Sequence, residues 1–242
     1  MADTSIVIGC SSDIGRAICA TLLNRGDFVV GSTRTGEMQD SEHLGQNFDV
    51  MACDATNTAS IRNLFQSSAF KSPRHLIYCA GFHRLAPVTP ASSGSLEDHL
   101  AVNFQGALDC ARLFISNKYS KHNIQRSITV VASIAHRIGD PGLVGYSASK
   151  AAIVAAVRGM AVEYSTRNIR VNSISPGWIE GERARMVSEK LSEDALTEIR
   201  KRYPLGFGSP MDVANAVSFL SSDSSSWITG IDLVVDGGRT CT

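Results

Sequence analysis

The chain has 242 residues, 43% of them apolar, and its 23 basic side chains balance its 23 acidic ones. That length can bury a sizeable core, and a neutral balance gives no electrostatic footing for nucleic acid or an anionic membrane. No apolar run reaches the ~18 residues that span a bilayer, and "MADTSIVIG" lacks the basic and apolar blocks of a secretory leader, so a cytoplasmic protein is expected.

Along the chain, short β-rich runs alternate with longer helical ones. Residues 5–9 ("SIVIG") read as a strand, and 14–26 as a helix ended by Gly26. Further strands are expected at 28–32, 48–54, 75–81, 127–133, 169–175 and 231–238, with helices near 57–68, 97–120, 148–166 and 211–221. Strands apolar on both faces that alternate with helices predict an α/β fold. The expected architecture is a single-domain doubly wound parallel sheet (Rossmann-type) with helices on both faces, spanning 1–242.

One stretch, about 178–208, is polar and interrupts this rhythm. It contains a short helix expected at 192–202, capped by Ser192 with acids in its first turn. Because it follows a strand's C-terminal end, where open α/β sheets bind ligands, it is read as a substrate lid, with a solvated excursion as the alternative. The six cysteines (Cys10, Cys19, Cys53, Cys79, Cys110, Cys241) include no C-x-x-C pair, and the six histidines no H-x-x-H spacing. Free thiols are therefore expected, and no metal site.

Three segments carry chemistry. In "IVIGCSSDIGRA", Gly9 ends the first strand and Gly15 opens the first helix, so the backbone can approach a pyrophosphate at a helix N-terminus. At the end of the second strand, "FVVGSTRTG" offers Thr33 and Arg34 where an acid would bind the ribose hydroxyls of NAD. Neutral donors and a guanidinium suit a 2′-phosphate instead, which favours NADP. In "YSASK", Tyr146 and Lys150 fall on neighbouring parts of one face if the helix has begun by Tyr146. A phenol titrates near pH ~10 and a nearby ammonium favours the phenolate, so the pair could exchange protons nearer neutrality. A surface tyrosine beside a solvated lysine is the plain alternative.

With these stand "CDAT" (53–56), "CAG" (79–81), "VNFQGA" (102–107), "VVASIA" (130–135), "PGWIEG" (176–181) and "WITGIDLVVDGG" (227–238). In this order and at these spacings, the chain resembles the short-chain dehydrogenase/reductases over essentially its whole length. Within them it looks most like the 3-oxoacyl-acyl-carrier-protein reductases of fatty acid or polyketide biosynthesis. The resemblance implies an oxidoreductase with a catalytic tetrad of Asn103, Ser133, Tyr146 and Lys150. Ser133 would hydrogen-bond the substrate oxygen and Tyr146 would protonate it. Lys150 would lower the tyrosine pKa and bind the nicotinamide ribose, and Asn103 would hold a proton-relaying water. For the cofactor, NADPH/NADP+, it implies Gly9, Ser11, Ser12, Ile14 and Gly15 at the phosphates and adenosine ribose, and Thr33 and Arg34 at the 2′-phosphate. Asp54 and Ala55 would border the adenine, Ala80 and Gly81 the ribose, and Pro176, Gly177 and Ile179 the nicotinamide.

Three positions depart from the family pattern: Asp13 replaces a glycine of the turn, Cys79 an asparagine, and Gly181 a threonine. Asp13 places a carboxylate beside the expected pyrophosphate, and Cys79 forfeits a structural hydrogen bond at the fourth strand. For the substrate, Arg167 falls where carrier-protein reductases present a basic residue to an acidic acyl carrier protein. Ile124 takes the second such position, with Lys118, Lys121, His122 and Arg126 nearby. His83, Arg84 and His136 lie in segments expected to border the pocket and would suit a small-molecule carbonyl substrate such as a free ketone or sugar. A non-catalytic cofactor-binding scaffold is the reading from another class. Broad apolar faces on the helices at 97–120 and 148–166 predict a homotetramer.

Overall fold

The structure, a computed structural model, describes residues 3–39, 44–67, 72–89, 93–116 and 124–242. Its strands are β1 (Thr4–Ile8), β2 (Phe28–Thr33), β3 (Phe48–Ala52), β4 (His75–Tyr78), β5 (Arg126–Val131), β6 (Ile169–Pro176) and β7 (Asp232–Val235). They form one parallel sheet in the order β3-β2-β1-β4-β5-β6-β7. The helices are α1 (Asp13–Arg25), α2 (Thr58–Gln66), α3 (Ser93–Leu100), α4 (Gly106–Ser116), α5 (Val144–Tyr164), α6 (Glu182–Ser188), α7 (Glu193–Lys201) and α8 (Pro210–Leu220).

Period-two alternation feeds a core on each face of the sheet. Ile6, Ile8, Leu76 and Ile128 point to one side, where α2, α4 and α5 contribute Ile61, Phe114, Ile153 and Val157. Val7, Val29, Ile77 and Ile174 point to the other, against Ile18 and Leu22 of α1 and Val213 and Val217 of α8. The expected doubly wound sheet, helices on both faces, is what forms. Strand order reverses at β1 and β4, so their C-terminal ends diverge and open a crevice.

Local signals account for several helix ends. Ser12 caps α1 by accepting from Gly15 N at 3.1 Å, and Gly26 ends it at φ 100°. Ser192 caps α7, with Glu193 and Asp194 in its first turn. The structure departs from expectation in three places. The helix expected at 97–120 begins at Ser93 and widens to a π-helical turn over Ala101–Gln105; positions 117–120 lie outside the described residues. The helix expected at 148–166 starts at Val144, so Tyr146 is inside it. The polar excursion carries a second short helix, α6, whose seven residues are too few to show a period.

That excursion begins and ends at one point. Glu180 N donates to Gly208 O at 2.8 Å and Gly208 N to Trp178 O at 3.0 Å. Trp178 stacks on Phe207 at 5.0 Å, and Arg200 lies over the same ring at 4.7 Å. No helix among the described residues is long and apolar enough to cross a membrane.

Candidate active site

β1 delivers the chain into a tight turn at Gly9, whose φ of 85° favours glycine and whose added Cβ would stand 2.6 Å from Ala80 N. The turn thus packs directly on the residue after β4. Ser12 Oγ donates to Gly9 O at 3.2 Å, and Arg16 straps the turn from outside by donating to Ser11 O at 3.1 Å. Ser11 and Ser12 are exposed, Ile14 half-buried and Gly15 buried, at the N-terminus of α1. A small backbone cradle at the N-terminus of a 13-residue helix fits a pyrophosphate. The Asp13 carboxylate is turned toward α6, where it accepts Glu182 N at 2.7 Å.

The C-terminal ends of β2 and β3 supply Thr33, Arg34, Asp54 and Ala55. Arg34 is exposed, and its charge helps hold Asp54 below the usual carboxylate range, after the larger effect of hydrogen bonds from Thr56. Thr33 differs from expectation: its hydroxyl accepts Gly36 N at 2.9 Å and donates to Glu37 O at 3.0 Å. Spent on the turn, it shapes the loop that presents Arg34.

The β4 end leads into Cys79, Ala80 and Gly81. Cys79 Sγ stands 3.8 Å from Ser12 Oγ, a weak contact between the two arms of the crevice. Asn103 straps the continuation: its Oδ1 accepts Phe82 N at 2.7 Å, and its Nδ2 donates to Phe82 O and Ser149 Oγ, each at 2.9 Å. The π-helical turn sets this residue's position. Gly106 N donates to Ala101 O, five residues back, and the buried Tyr78 hydroxyl donates to Val102 O. A side chain at Gly106 would collide with Tyr78 Oη and Ala55 O.

Tyr146 and Lys150 sit one turn apart on α5 and are both buried. Lys150 Nζ donates to Val131 O at 2.8 Å and lies 5.8 Å from the centroid of the Tyr146 ring. Burial pushes the ammonium down to about 8. The phenol moves the other way from the expectation set by its neighbouring lysine. Burial raises it, opposed by a hydrogen bond with Ser133 and by the charge of Arg183. Desolvation of a phenolate outweighs an ammonium that is itself bonded elsewhere. Ser133, at the end of β5, also accepts Ala135 N at 3.2 Å. Asn103, Ser133, Tyr146 and Lys150 are therefore brought to one crevice, beside Gly81, whose added Cβ would lie 3.6 Å from Asn103 Oδ1 and 3.8 Å from Lys150 Nζ.

Of the expected substrate residues, His83 alone joins this cluster. Its ring meets Tyr146 edge-on at 4.7 Å, and burial first, then Arg183 and His99, push it down to about 4. His136 does not: its Nε2 is bound to Asp232 Oδ2 at 3.0 Å and Ser175 Oγ at 3.2 Å. Arg167 is exposed beyond the far end of the 21-residue α5, stacked on Tyr164. Arg126 is buried against Phe114 and bonded to Pro73 O, so it presents no charge to a partner. Lys118, Lys121 and His122 lie outside the described residues. Pro176 closes β6, Gly177 N donates to Val235 O at 2.9 Å, and Ile179 forms the bridge to Gly208 that roots the excursion. Among the described residues no group of three or more His, Cys, Asp and Glu could hold a metal ion.

Sequence reading missed His99 and Arg183. His99 is buried, faces Tyr146 at 6.0 Å and accepts Arg84 N at 3.2 Å. Arg183 reaches Gly81 O at 3.4 Å from α6. Neither lies in a motif, and only the tertiary fold brings them near.

Comparison with known proteins identifies the family. The family model described as enoyl-(acyl carrier protein) reductase matches residues 9–240. The 3-oxoacyl-(acyl-carrier-protein) reductase of Thermotoga maritima is 31% identical over 241 residues, covering 96% of each chain. That of Escherichia coli is 30% identical, covering 97% of this chain and 96% of its own. Among solved structures, a short-chain type dehydrogenase/reductase from Mycobacterium ulcerans superposes with a TM-score of 0.90 at 26% identity, covering 99% of this chain and 90% of its own. Thermoplasma acidophilum aldohexose dehydrogenase gives 0.87 at 26%, covering 100% and 95%. With a family model spanning nearly the whole chain and these relatives matching end to end, the protein belongs to the short-chain dehydrogenase/reductase family of oxidoreductases.

Proposed function

We propose that this protein reduces a 3-oxoacyl thioester, presented on an acyl carrier protein, to its 3-hydroxyacyl form with NADPH, and works as a homotetramer. The observation that carries the reading is half-buried Ser133 bonded to buried Tyr146, with buried Lys150 one turn along the same helix. The names of the full-length relatives supply the substrate class. The turn from Gly9 to Gly15 holds the pyrophosphate, and exposed Arg34 takes the 2′-phosphate. Asp54, Ala55, Ala80 and Gly81 border the adenosine and ribose, and Pro176, Gly177 and Ile179 the nicotinamide.

NADPH, when bound, would supply the hydride for the carbonyl carbon. Negative charge then grows on the carbonyl oxygen, where Ser133 donates a hydrogen bond and Tyr146 Oη delivers a proton. The positive charge of Lys150 stabilises the phenolate left behind, and Asn103 fixes the floor of the pocket through Phe82 and Ser149. The excursion 178–208 closes over the ligand from its single root at Ile179 and Gly208. Arg167, exposed, meets the acidic carrier.

His83 against Tyr146 favours a second reading, reduction of a free polar carbonyl compound, in keeping with the sugar-oxidising neighbour of similar fold. A scaffold without turnover has no need of the buried tyrosine–lysine pair. The deciding assay follows loss of reduced-nicotinamide absorbance with a short 3-oxoacyl thioester. Turnover with NADPH and little with NADH is expected. Turnover only with free ketones or sugars moves the assignment to the second reading, and a preference for NADH contradicts the role of Arg34.

A further inference from the structure

Asp13 and Arg183 have no part in the mechanism above, yet the fold ties their segments together through a bond from Glu182 to Asp13, 169 positions apart in sequence. Asp13, the first residue of α1, accepts the backbone N–H of Glu182, the first residue of α6, at 2.7 Å. The fit leaves no space for a side chain between them. Gly181 adopts φ 154°, and a Cβ there would overlap the Asp13 carboxylate. A backbone N–H held by a carboxylate fixes where α6 starts, and with it where the next side chain goes.

That side chain is Arg183. Its guanidinium reaches Gly81 O at 3.4 Å, over the crevice that holds Asn103 Oδ1 and Lys150 Nζ. Two other arginines of the excursion are paired, Arg185 with Glu189 at 3.8 Å and Arg200 with Glu180 at 3.7 Å. Arg183 has no carboxylate within ion-pair distance among the described residues. Its charge is felt in the pocket, where it adds to burial in pushing Lys150 and His83 down. A guanidinium bound only to one carbonyl at long range, beside a buried ammonium, is an incomplete arrangement: its fork of donors matches a phosphate or carboxylate.

We infer that Arg183 is a ligand-recognition residue that takes an anionic group at the mouth of the Tyr146–Lys150 pocket, and that Asp13 is the positioning residue that seats it there by anchoring α6. The inference rests on the reductase reading. The chemistry it names is an anionic oxygen pair, which the pyrophosphate of the cofactor and an acid group on the carbonyl substrate would each provide.

The test uses Arg183→Ala, Arg183→Lys, Asp13→Ala and Asp13→Asn in the full chain. Fluorescence titration gives the Kd for NADPH, and initial rates give KM and kcat for acetoacetate and for its neutral ethyl ester. Arg183 is exposed, so its replacement leaves folding intact. Loss of a charged hydrogen bond predicts that Arg183→Ala raises one parameter by about tenfold or more, with kcat changing less. A rise in the Kd for NADPH assigns the pyrophosphate. A rise in KM for acetoacetate but not for the ester assigns a substrate acid. Asp13→Ala shifts the same parameter, while Asp13→Asn, which keeps an acceptor oxygen, and Arg183→Lys, which keeps the charge, retain part of it. Values equal to wild type, equal losses for acid and ester with an unchanged Kd, or an Asp13→Ala effect on a different parameter overturn the inference alone. Wild-type protein that neither binds NADPH nor reduces a carbonyl compound overturns the reductase reading, and the inference with it.

Discussion

At Lys150 and Tyr146, burial separates two proton affinities that a solvent-exposed pair would hold close together. Lys150 falls to about 8 while Tyr146 rises above its ordinary value, so near neutrality both groups keep their protons. That state suits reduction, which needs a phenol to give a proton and an ammonium to steady the anion left behind. The sign follows directly: the amine is charged below about 8 and loses its charge above it. Reductive kcat/KM is therefore expected to be flat up to that point and then fall about tenfold per pH unit, whereas alcohol oxidation rises over the same range. A reductive pH–rate profile level through this range would mean that Lys150 is not the titrating group. Tyr146, Lys150, Ser133 and Asn103 were legible in the sequence because each sits in a short local motif. The direction of the Tyr146 shift was not, because it depends on burial by segments far away in the chain. His99 and Arg183 escaped for the same reason, and the hydrogen bonds of the Thr33 hydroxyl to Gly36 and Glu37 were not foreseen.

Among the elements, β7 is held to β6 by a polar network inside the sheet edge. Asp232, with 6% of its side chain exposed, accepts from Ser173 at 2.8 Å, Ser175 at 2.7 Å and Arg137 at 2.9 Å, and bonds His136 at 3.0 Å. Although burial works to raise it, these bonds hold its carboxyl below the ordinary value. Asp232→Ala leaves several buried donors without a partner and is expected to cost about 3 kcal/mol, read as a lower denaturation midpoint with an unchanged slope. Because the folded carboxyl is the stronger acid, this contribution is present above its unfolded pKa and fades as pH falls through the lowered folded value. A variant as stable as wild type would show that the network is dispensable. Strand positions were legible because apolar runs such as Ile6–Ile8 and His75–Tyr78 are short and bounded. The π-helical turn was not, since it arises from Tyr78 Oη reaching Val102 O, a contact between β4 and a later helix.

At the scale of the whole molecule, the sheet's reversal at β1 and β4 fixes where the crevice lies, the excursion rooted at Ile179 and Gly208 touches its rim at Asp13 and Gly81, and α5 links the crevice to the outer surface. Tyr146 and Lys150 face inward from this helix, while Ala151, Ala155, Gly159 and Val162 are exposed along it, Val162 at 78%. A face of small residues allows close approach of a second helix, in line with the proposed tetramer. Light scattering at micromolar concentration should give about four times the 25.9 kDa chain mass; a monomer mass would refute the assembly. The central claim, that Tyr146 is the proton donor of a reductase, is tested most directly by Tyr146→Phe. NADPH binding should remain near wild type while turnover of the substrate identified for the wild type falls by about a hundredfold or more. Turnover within a few-fold of wild type, with NADPH still bound, would contradict it.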